Sequence, residues 1–292
     1  MDQMEKYNVL FNPNAGSNTG KAEAEKLKDI LSGEIVFTDM TAINDYKSFF
    51  SETDKDTHIV IAGGDGTINR FVNDTDGIDI PNDILYYAAG SGNDFAHDLG
   101  RAKGDAPTSL NEYIKDLPTV TVNGKDYKFI NGIGYGIDGY CCEVGDKLRE
   151  TSKKPVNYTS IAIKGLLFHY HPTNAVVTVD GVKHEYKKVW LAPTMNGRFY
   201  GGGMMPTPNQ DRLSEDGTVS TMVLYGSGKL KTLIVFPSIF KGEHIKHKEM
   251  VEVLTGHEIN VEFDRPTALQ IDGETILGVT SYKVTAKALV KA

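Results

Sequence analysis

The sequence predicts a three-layer α/β/α unit followed by an antiparallel β domain, and three observations predict it. Short apolar strands alternate with helical segments through the first 120 residues. Three of those strands end in loops rich in Gly, Asn and Asp. Beyond about residue 120, alternating β-branched runs separated by turn signals take over. The expected domains are 1–122, joined by the tail 280–292, and 123–279.

The elements follow in order. Tyr7–Asn12 reads as a strand, and Lys21–Leu31 as an amphipathic helix with Ala24, Leu27, Ile30 and Leu31 at helical spacing. Ile35–Thr38, Ile59–Ala62 and Ile84–Ala89 are strands; Asn44–Ser51, Ile68–Asn73, Asp94–Leu99 and Pro107–Leu117 are helices. Strand–helix alternation implies a parallel sheet covered on both faces, and uniformly apolar strands suit that position. The second unit offers strands at Val120–Asn123, Lys128–Gly132, Ala175–Val179, Tyr186–Ala192, Thr218–Leu224, Met250–Leu254, Glu258–Phe263, Leu269–Ile271 and Tyr282–Thr285. "NG" at 123–124 and "DG" at 180–181 mark hairpins, and helical insertions are expected near 157–169 and 227–241.

Composition narrows the function. Hydrophobic content of 40% and charged content of 24% over 292 residues are those of a globular protein with a real core. The opening residues lack the basic n-region and long apolar run of a signal peptide, and no run reaches the roughly 18–20 apolar residues of a membrane span. Cys141 and Cys142 are adjacent, so no disulfide framework is expected and a reducing cytoplasm fits. A net charge of −8 argues against a nucleic-acid partner. It also argues against global attraction to anionic lipid, leaving a local basic patch as the route to a membrane.

The stretch "HIVIAGGDGTINRF" at 58–71 concentrates the chemistry. A strand breaks into Gly63, Gly64, Asp65, Gly66 and Thr67 and then opens a helix, so backbone N–H groups and a helix N-terminus converge where phosphate binds. Thr67 is placed to cap that helix. Asp65 would repel phosphate unless Mg²⁺ lies between them. "NPNAG" at 12–16 and "GSGND" at 90–94 also end strands, and in an open parallel sheet such loops share one ligand-binding edge. "GSNTGKA" at 16–22 fails the Walker A pattern, with three residues between its glycines and Ala22 at the Ser/Thr position. "GYGIDG" at 134–139 fits G-x-G-x-x-G but reads as a turn opening an all-β region, without an acid near 159.

"NPNAG", "GGDGTINRFVN" and "GSGNDFAHDLG" together resemble the nucleotide motifs of the diacylglycerol kinase catalytic family, which includes bacterial lipid kinases and sphingosine kinases. "GGGMMPTPNQDRLSEDGTVSTMVL" at 201–224 and "LQIDGE" at 269–274 are similar to its later motifs. "GGDGT" alone is shared with NAD kinases. The resemblance implies a Rossmann-like nucleotide domain, an ATP site in a cleft beside an antiparallel β-sandwich, and phosphoryl transfer to a lipid hydroxyl, with diacylglycerol as the expected acceptor. On that pattern Asn12, Pro13, Asn14, Gly16, Thr38, Gly63, Gly64, Asp65, Gly66, Thr67, Asn69, Ser91 and Asn93 line the ATP site. Asp65 and Asp94 organise Mg²⁺, Glu274 is the general base, Asp272 supports it, and Asp216 matches a structural Mg²⁺ position. The alternatives are a soluble-substrate kinase of the NAD kinase type, a kinase of another lipid, or a non-catalytic nucleotide binder.

There are departures. The family's P-x-G-T is "AAGSGND" here, with Ala88 for Pro and Ser91 for Thr, and an acid expected near 120 is absent from "LPTVTVNGKDY". The partner expected is a lipid at a membrane surface, met peripherally from the cytoplasm, with homodimerisation left open. Two segments could dock there: 145–171, with Lys147, Arg149, Lys153 and Lys154 beside Ile161, Leu166, Leu167 and Phe168; and 233–248, with Lys241, Lys246 and Lys248 beside Phe236, Ile239 and Phe240. His169, His171, His244 and His247 read as surface or capping residues, because no Cys, His or acid spacing accompanies them.

Overall fold

The computed structural model describes residues 4–151, 156 and 158–286. The chain divides into two units at Asp116/Leu117. The first contains β1 (Lys6–Phe11), α1 (Ala15–Asn18), α2 (Gly20–Glu25), β2 (Glu34–Asp39), α3 (Tyr46–Glu52), β3 (Thr57–Gly63), α4 (Asp65–Asp74), β4 (Ile84–Ala88), α5 (Asp94–Asp98), β5 (Thr108–Ser109) and α6 (Asn111–Ile114). The sheet order is β2-β1-β3-β4-β5, parallel through β4. The chain passes from β1 outward to β2, then back to β3 on the other side of β1, so the carboxyl ends of β1 and β3 flank the switch point where such sheets bind ligands.

The alternation of side chains along each strand covers both faces. Val9 and Phe11 share one face with Val60 and Ala62, closed by Ala24 and Leu27. Leu10, Ile59 and Ile61, at the intervening positions, are equally buried. Asp45 caps α3 through the Lys47 and Ser48 N–H groups, and Tyr46 and Phe50 meet Phe71 of α4 edge-on at 6.0 and 6.4 Å.

The helix expected over Pro107–Leu117 is shorter. Thr108–Ser109 pairs antiparallel with β4, and the Asn111 side-chain oxygen accepts the Ile84 N–H at 2.8 Å. Only the single turn of α6 remains helical.

The second unit contains β6 (Thr119–Val122), β7 (Lys125–Lys128), β8 (Gly132–Tyr135), α7 (Ile137–Thr151), α8 (Tyr158–Lys164), a π-type turn (Gly165–His169), β9 (Thr173–Val179), β10 (Val182–Val189), β11 (Thr194–Met195), β12 (Val219–Leu224), α9 (Lys229–Val235), β13 (Val251–Gly256), β14 (Glu258–Ile271) and β15 (Glu274–Thr285). All pairings are antiparallel. β14 organises them: Ile259–Phe263 pair with β9, Leu269–Ile271 pair with β8, and the register shifts between Glu262 and Leu269. Side chains from both halves, including Val177, Val261, Tyr135, Leu269 and Tyr282, meet in one core. Asn123–Gly124 and Asp180–Gly181 all have positive φ, as type I′ hairpins require.

Three expectations are corrected here. The boundary falls before residue 122, because β6 pairs with β7 and β15. Residues 280–285 do not return to the first unit: they run in β15, paired with β14 and β6, and 287–292 lie outside the described residues. "GYGIDG" does not open an all-β region but leads from β8 into α7, a fifteen-residue helix. Its small residues blur the apolar periodicity that would announce it. They are small for packing: a Cβ on Gly139 would fall 1.9 Å from the Ala268 carbonyl, and one on Gly136, at φ +118, 2.6 Å from the Trp190 carbonyl.

Candidate active site

The loops after β1, β3 and β4 leave the same edge of the first unit. Their glycines answer first to one another. Gly63, Gly64 and Gly90 have no positive φ; what they lack is room. A Cβ on Gly90 would lie 2.4 Å from the Gly64 Cα, and one on Gly63 2.2 Å from Thr67 Oγ1. The Gly63 carbonyl accepts from the Ala89 and Gly90 N–H groups at 2.8 and 3.2 Å and from the Tyr86 hydroxyl at 3.1 Å. The two loops are therefore fused backbone to backbone.

Asp65 completes the joint. Its two carboxylate oxygens accept the Asp94 and Phe95 N–H groups, each at 2.9 Å. The residue expected to answer mainly to Mg²⁺ thus caps α5 and locks the β4 loop to the β3 loop. Asp94 is buried at the start of α5. Burial, then the Asp65 and Asp94 charges, hold the Tyr86 phenol well above its ordinary range.

Gly66 is different. It sits in the first turn of α4 with no positive φ, and nothing lies within 4 Å of where its Cβ would be. Neither conformation nor internal packing requires glycine there, although glycine costs about 1 kcal/mol against Ala in a helix. The Thr67 and Ile68 N–H groups bond the Gly64 carbonyl at 2.9 and 3.3 Å, and Gly66 lies one residue before them, at the helix N-terminus where anions bind. Asn93, in the left-handed region at φ +52, donates to the Gly90 carbonyl at 2.9 Å, while its Oδ1 is buried without a partner. Open space at the N-terminus of a helix fits a phosphate-bearing nucleotide.

Other expected residues occupy quieter places. Thr67 is buried against Gly63 and makes no side-chain cap; Gly64 is the N-cap of α4. The Thr38 hydroxyl donates to Asn8 Oδ1 at 2.7 Å, so it is engaged inside the sheet. Asn12 Oδ1 accepts the Asn14 N–H at 2.9 Å, shaping the loop through Pro13, and Gly16 takes φ +58 with its carbonyl accepting from Thr19 Oγ1. Asn69 is buried in α4, and Ser91 is exposed.

In the second unit, Asp272–Gly273 forms the two-residue turn between β14 and β15, with φ +46 and +98. Asp272 reaches back to the β8 entry, where its carboxylate accepts the Ile130, Asn131 and Gly132 N–H groups at 2.6, 2.9 and 2.9 Å. Gln270 Oε1 accepts the Gly273 N–H at 2.7 Å. Glu274 is exposed at the start of β15 on this braced turn.

Sequence reasoning passed over the group beneath. Asp138 is buried, accepts the Tyr200 hydroxyl at 2.9 Å and its neighbour's Gly139 N–H at 2.9 Å, and is also bonded by Gln270. Burial raises its carboxyl from the ordinary 3.8 to about 6, against the pull of those donors. Its signal was the acid inside "GYGIDG". Burial also pushes the Cys142 thiol up to about 12, so it is no nucleophile.

Asp216 is exposed in a turn, and its carbonyl accepts from His257 Nε2 at 2.8 Å. Among the described residues no group of three or more His, Cys, Asp or Glu side chains is arranged to hold a metal. His244 is not at the surface: it is buried, bonds the Pro206 carbonyl at 2.8 Å, and burial lowers its pKa. Of the apolar residues expected to face lipid, Ile161, Leu166 and Ile239 are core, while Phe168 and Phe240 are exposed. Lys153 and Lys154 lie outside the described residues. No helix among the described residues is long and apolar enough to cross a membrane.

Residues 6–122 match the family described as the diacylglycerol kinase catalytic domain, and residues 131–289 match the YegS C-terminal NAD kinase beta sandwich-like domain. The chain belongs to the diacylglycerol kinase family. It is 28% identical over 216 residues to a diacylglycerol kinase of Mycobacterium tuberculosis, covering 71% of this chain and 67% of that protein. It is 27% identical over 223 residues to the diacylglycerol kinase of Bacillus subtilis, covering 74% and 70%. A crystal structure of a diacylglycerol kinase from Bacillus anthracis shares the fold, with a TM-score of 0.61, 20% identity, and 98% and 95% of the two chains covered. As a member of this family, the chain is a lipid kinase, a phosphotransferase acting on a hydroxyl acceptor.

Proposed function

We propose that this lipid kinase uses Mg²⁺-ATP to phosphorylate diacylglycerol, giving phosphatidic acid, as a peripheral protein on the cytoplasmic face of a membrane. The observation that carries the nucleotide assignment is the open approach at Gly66, the one glycine of "GGDGT" that packing does not explain. The α4 N–H groups receive phosphate oxygens there, and Asn93 Oδ1 takes a donor from the nucleotide or its hydration shell. Asp65 holds the α5 loop in register with that floor, and Asp94 would help to hold Mg²⁺, which would neutralise charge developing on the phosphoryl group that ATP supplies. Glu274 accepts the proton of the lipid hydroxyl, a contribution of typically ~10²–10⁴-fold. Asp272 acts on Glu274 indirectly, by fixing the turn that carries it.

The test is transfer of label from γ-labelled ATP into organic-extractable product. Mixed micelles would present diacylglycerol, monoacylglycerol, polyprenol, ceramide or a sphingoid base, with and without a chelator. Chelator-sensitive labelling of diacylglycerol is the expected result. Label confined to another lipid would change the acceptor, and label found only in NADP would overturn the lipid reading.

A further inference from the structure

A groove in the second unit lies where the Gly165–His169 turn passes α7 and the bend of β14. It is a cavity of about 340 Å³ whose lining includes Arg265, His169, His171, Tyr170, Glu143 and Leu277. None of these residues belongs to the site above. It gathers an arginine and two histidines in a chain of net charge −8. The Arg265 guanidinium is held by the His171 carbonyl and has no carboxylate partner among the described residues. Glu143 is bonded to Lys147 at 2.6 Å. Tyr170 is 5% exposed, with its ring between Tyr140 and Trp190, and its hydroxyl is buried without a partner. An orphaned buried hydroxyl is rare in a folded protein and calls for a ligand or water. Burial, then the Asp138 charge, raise the pKa of this hydroxyl, and the Arg265 guanidinium lowers it.

The surroundings add the second half of an amphipathic site. Phe168 and Leu277 are 68% and 58% exposed, and on α9, one turn apart, Leu230 and Ile234 are 71% and 70% exposed. Lys229 Nζ bonds the Leu167 carbonyl at 2.9 Å, tying α9 to the turn that carries Phe168.

We propose that this groove binds the phosphate of an anionic phospholipid, with Phe168, Leu230 and Ile234 entering the bilayer beside it. The Arg265 fork, the two imidazoles and the Tyr170 hydroxyl supply donors to the phosphate, while the apolar rim meets the acyl region. Diacylglycerol carries no phosphate, so the groove reads the surrounding bilayer rather than the acceptor. The inference rests on the lipid-kinase reading only for the choice of a bilayer as the occupant's source.

The test is co-sedimentation of the full chain with phosphatidylcholine vesicles, with or without phosphatidylglycerol. Binding should need the anionic lipid, fall about fivefold in Arg265→Gln, which removes one cation near the surface, and fall in the double variant His169→Asn/His171→Asn, which removes both imidazoles. The double variant alters only exposed side chains and keeps the His171 carbonyl that holds Arg265, so it tests the groove even if Arg265→Gln fails to fold. Phe168→Ser/Leu230→Ser should weaken binding further. Glu274→Gln, without phosphoryl transfer, should bind as the parent does, which separates this claim from the catalytic one. Equal binding to neutral and anionic vesicles, or unchanged binding of both Arg265→Gln and the histidine double variant, would overturn the groove. Calorimetric binding of glycerol 3-phosphate by a chain whose vesicle binding is indifferent to phosphatidylglycerol would overturn the phospholipid as the occupant.

Discussion

Asp65→Ala should uncouple the two loops that build the nucleotide floor. The carboxylate holds two N–H groups at 2.9 Å, and their residues, Asp94 and Phe95, are 4% and 0% exposed. Water is poorly placed to replace it. α5 has five residues, too few to persist without its cap. Hydrogen bonds to a charged group are worth about 1.5–3 kcal/mol and a lost cap about 1 kcal/mol, so a loss of ~2–4 kcal/mol is expected around the loop. Asp65→Asn, which keeps one acceptor oxygen, should lose about half as much. The assay is native-state amide exchange: protection of the Asp94 and Phe95 amides should fall about 30-fold or more in the Ala variant, each ~1.4 kcal/mol being tenfold. The Tyr86 phenol should also titrate lower, because one of the charges that raises it is gone. Unchanged protection at 94 and 95 would refute the joint.

Gly66→Ala and Gly90→Ala should separate ligand approach from packing. Gly66→Ala should leave the fold intact, gaining up to about 1 kcal/mol of helix propensity, while nucleotide affinity measured by calorimetry falls. Gly90→Ala should lower the melting temperature, its Cβ meeting the Gly64 backbone. Asp272→Ala strands three N–H groups at residues 9% exposed or less and should cost about 3 kcal/mol or more in urea unfolding. Asp138 binds its proton more tightly folded than unfolded. Its contribution is therefore full below pH 3.8 and is lost as pH rises toward about 6, a change of about 3 kcal/mol. Asp138→Asn, which keeps an acceptor for Tyr200, should flatten the stability profile across that window.

Much of the first unit was legible because its strands are buried on both faces and read as apolar runs. The loop edge was legible because chain alternation alone places the ends of β1, β3 and β4 together. The roles inside the loops were not. Nothing local says that Gly64 and Gly90 are small for each other, or that Asp65 reaches the N–H groups of residues 94 and 95, since these are contacts across twenty or more residues. In the second unit β14 was read as two strands because Asp264, Arg265 and Pro266 interrupt the alternation at its bend. α7 was missed because Gly139, Cys141, Cys142 and Gly145 carry too little apolar bulk to declare a helix face. The Asp-Gly-Glu turn is a hairpin, and its Asp is a staple to 130–132 that only the fold brings near.

The most direct measurement is chelator-sensitive transfer of labelled phosphate from ATP to micellar diacylglycerol by the parent and by Glu274→Gln, an exposed substitution that leaves the turn's bracing by Asp272 and Gln270 in place. The account predicts organic-phase product from the parent and a loss of at least about a hundredfold in kcat in the variant, with its melting temperature and nucleotide affinity unchanged. Full activity in Glu274→Gln, or no lipid product from the folded parent, would contradict it.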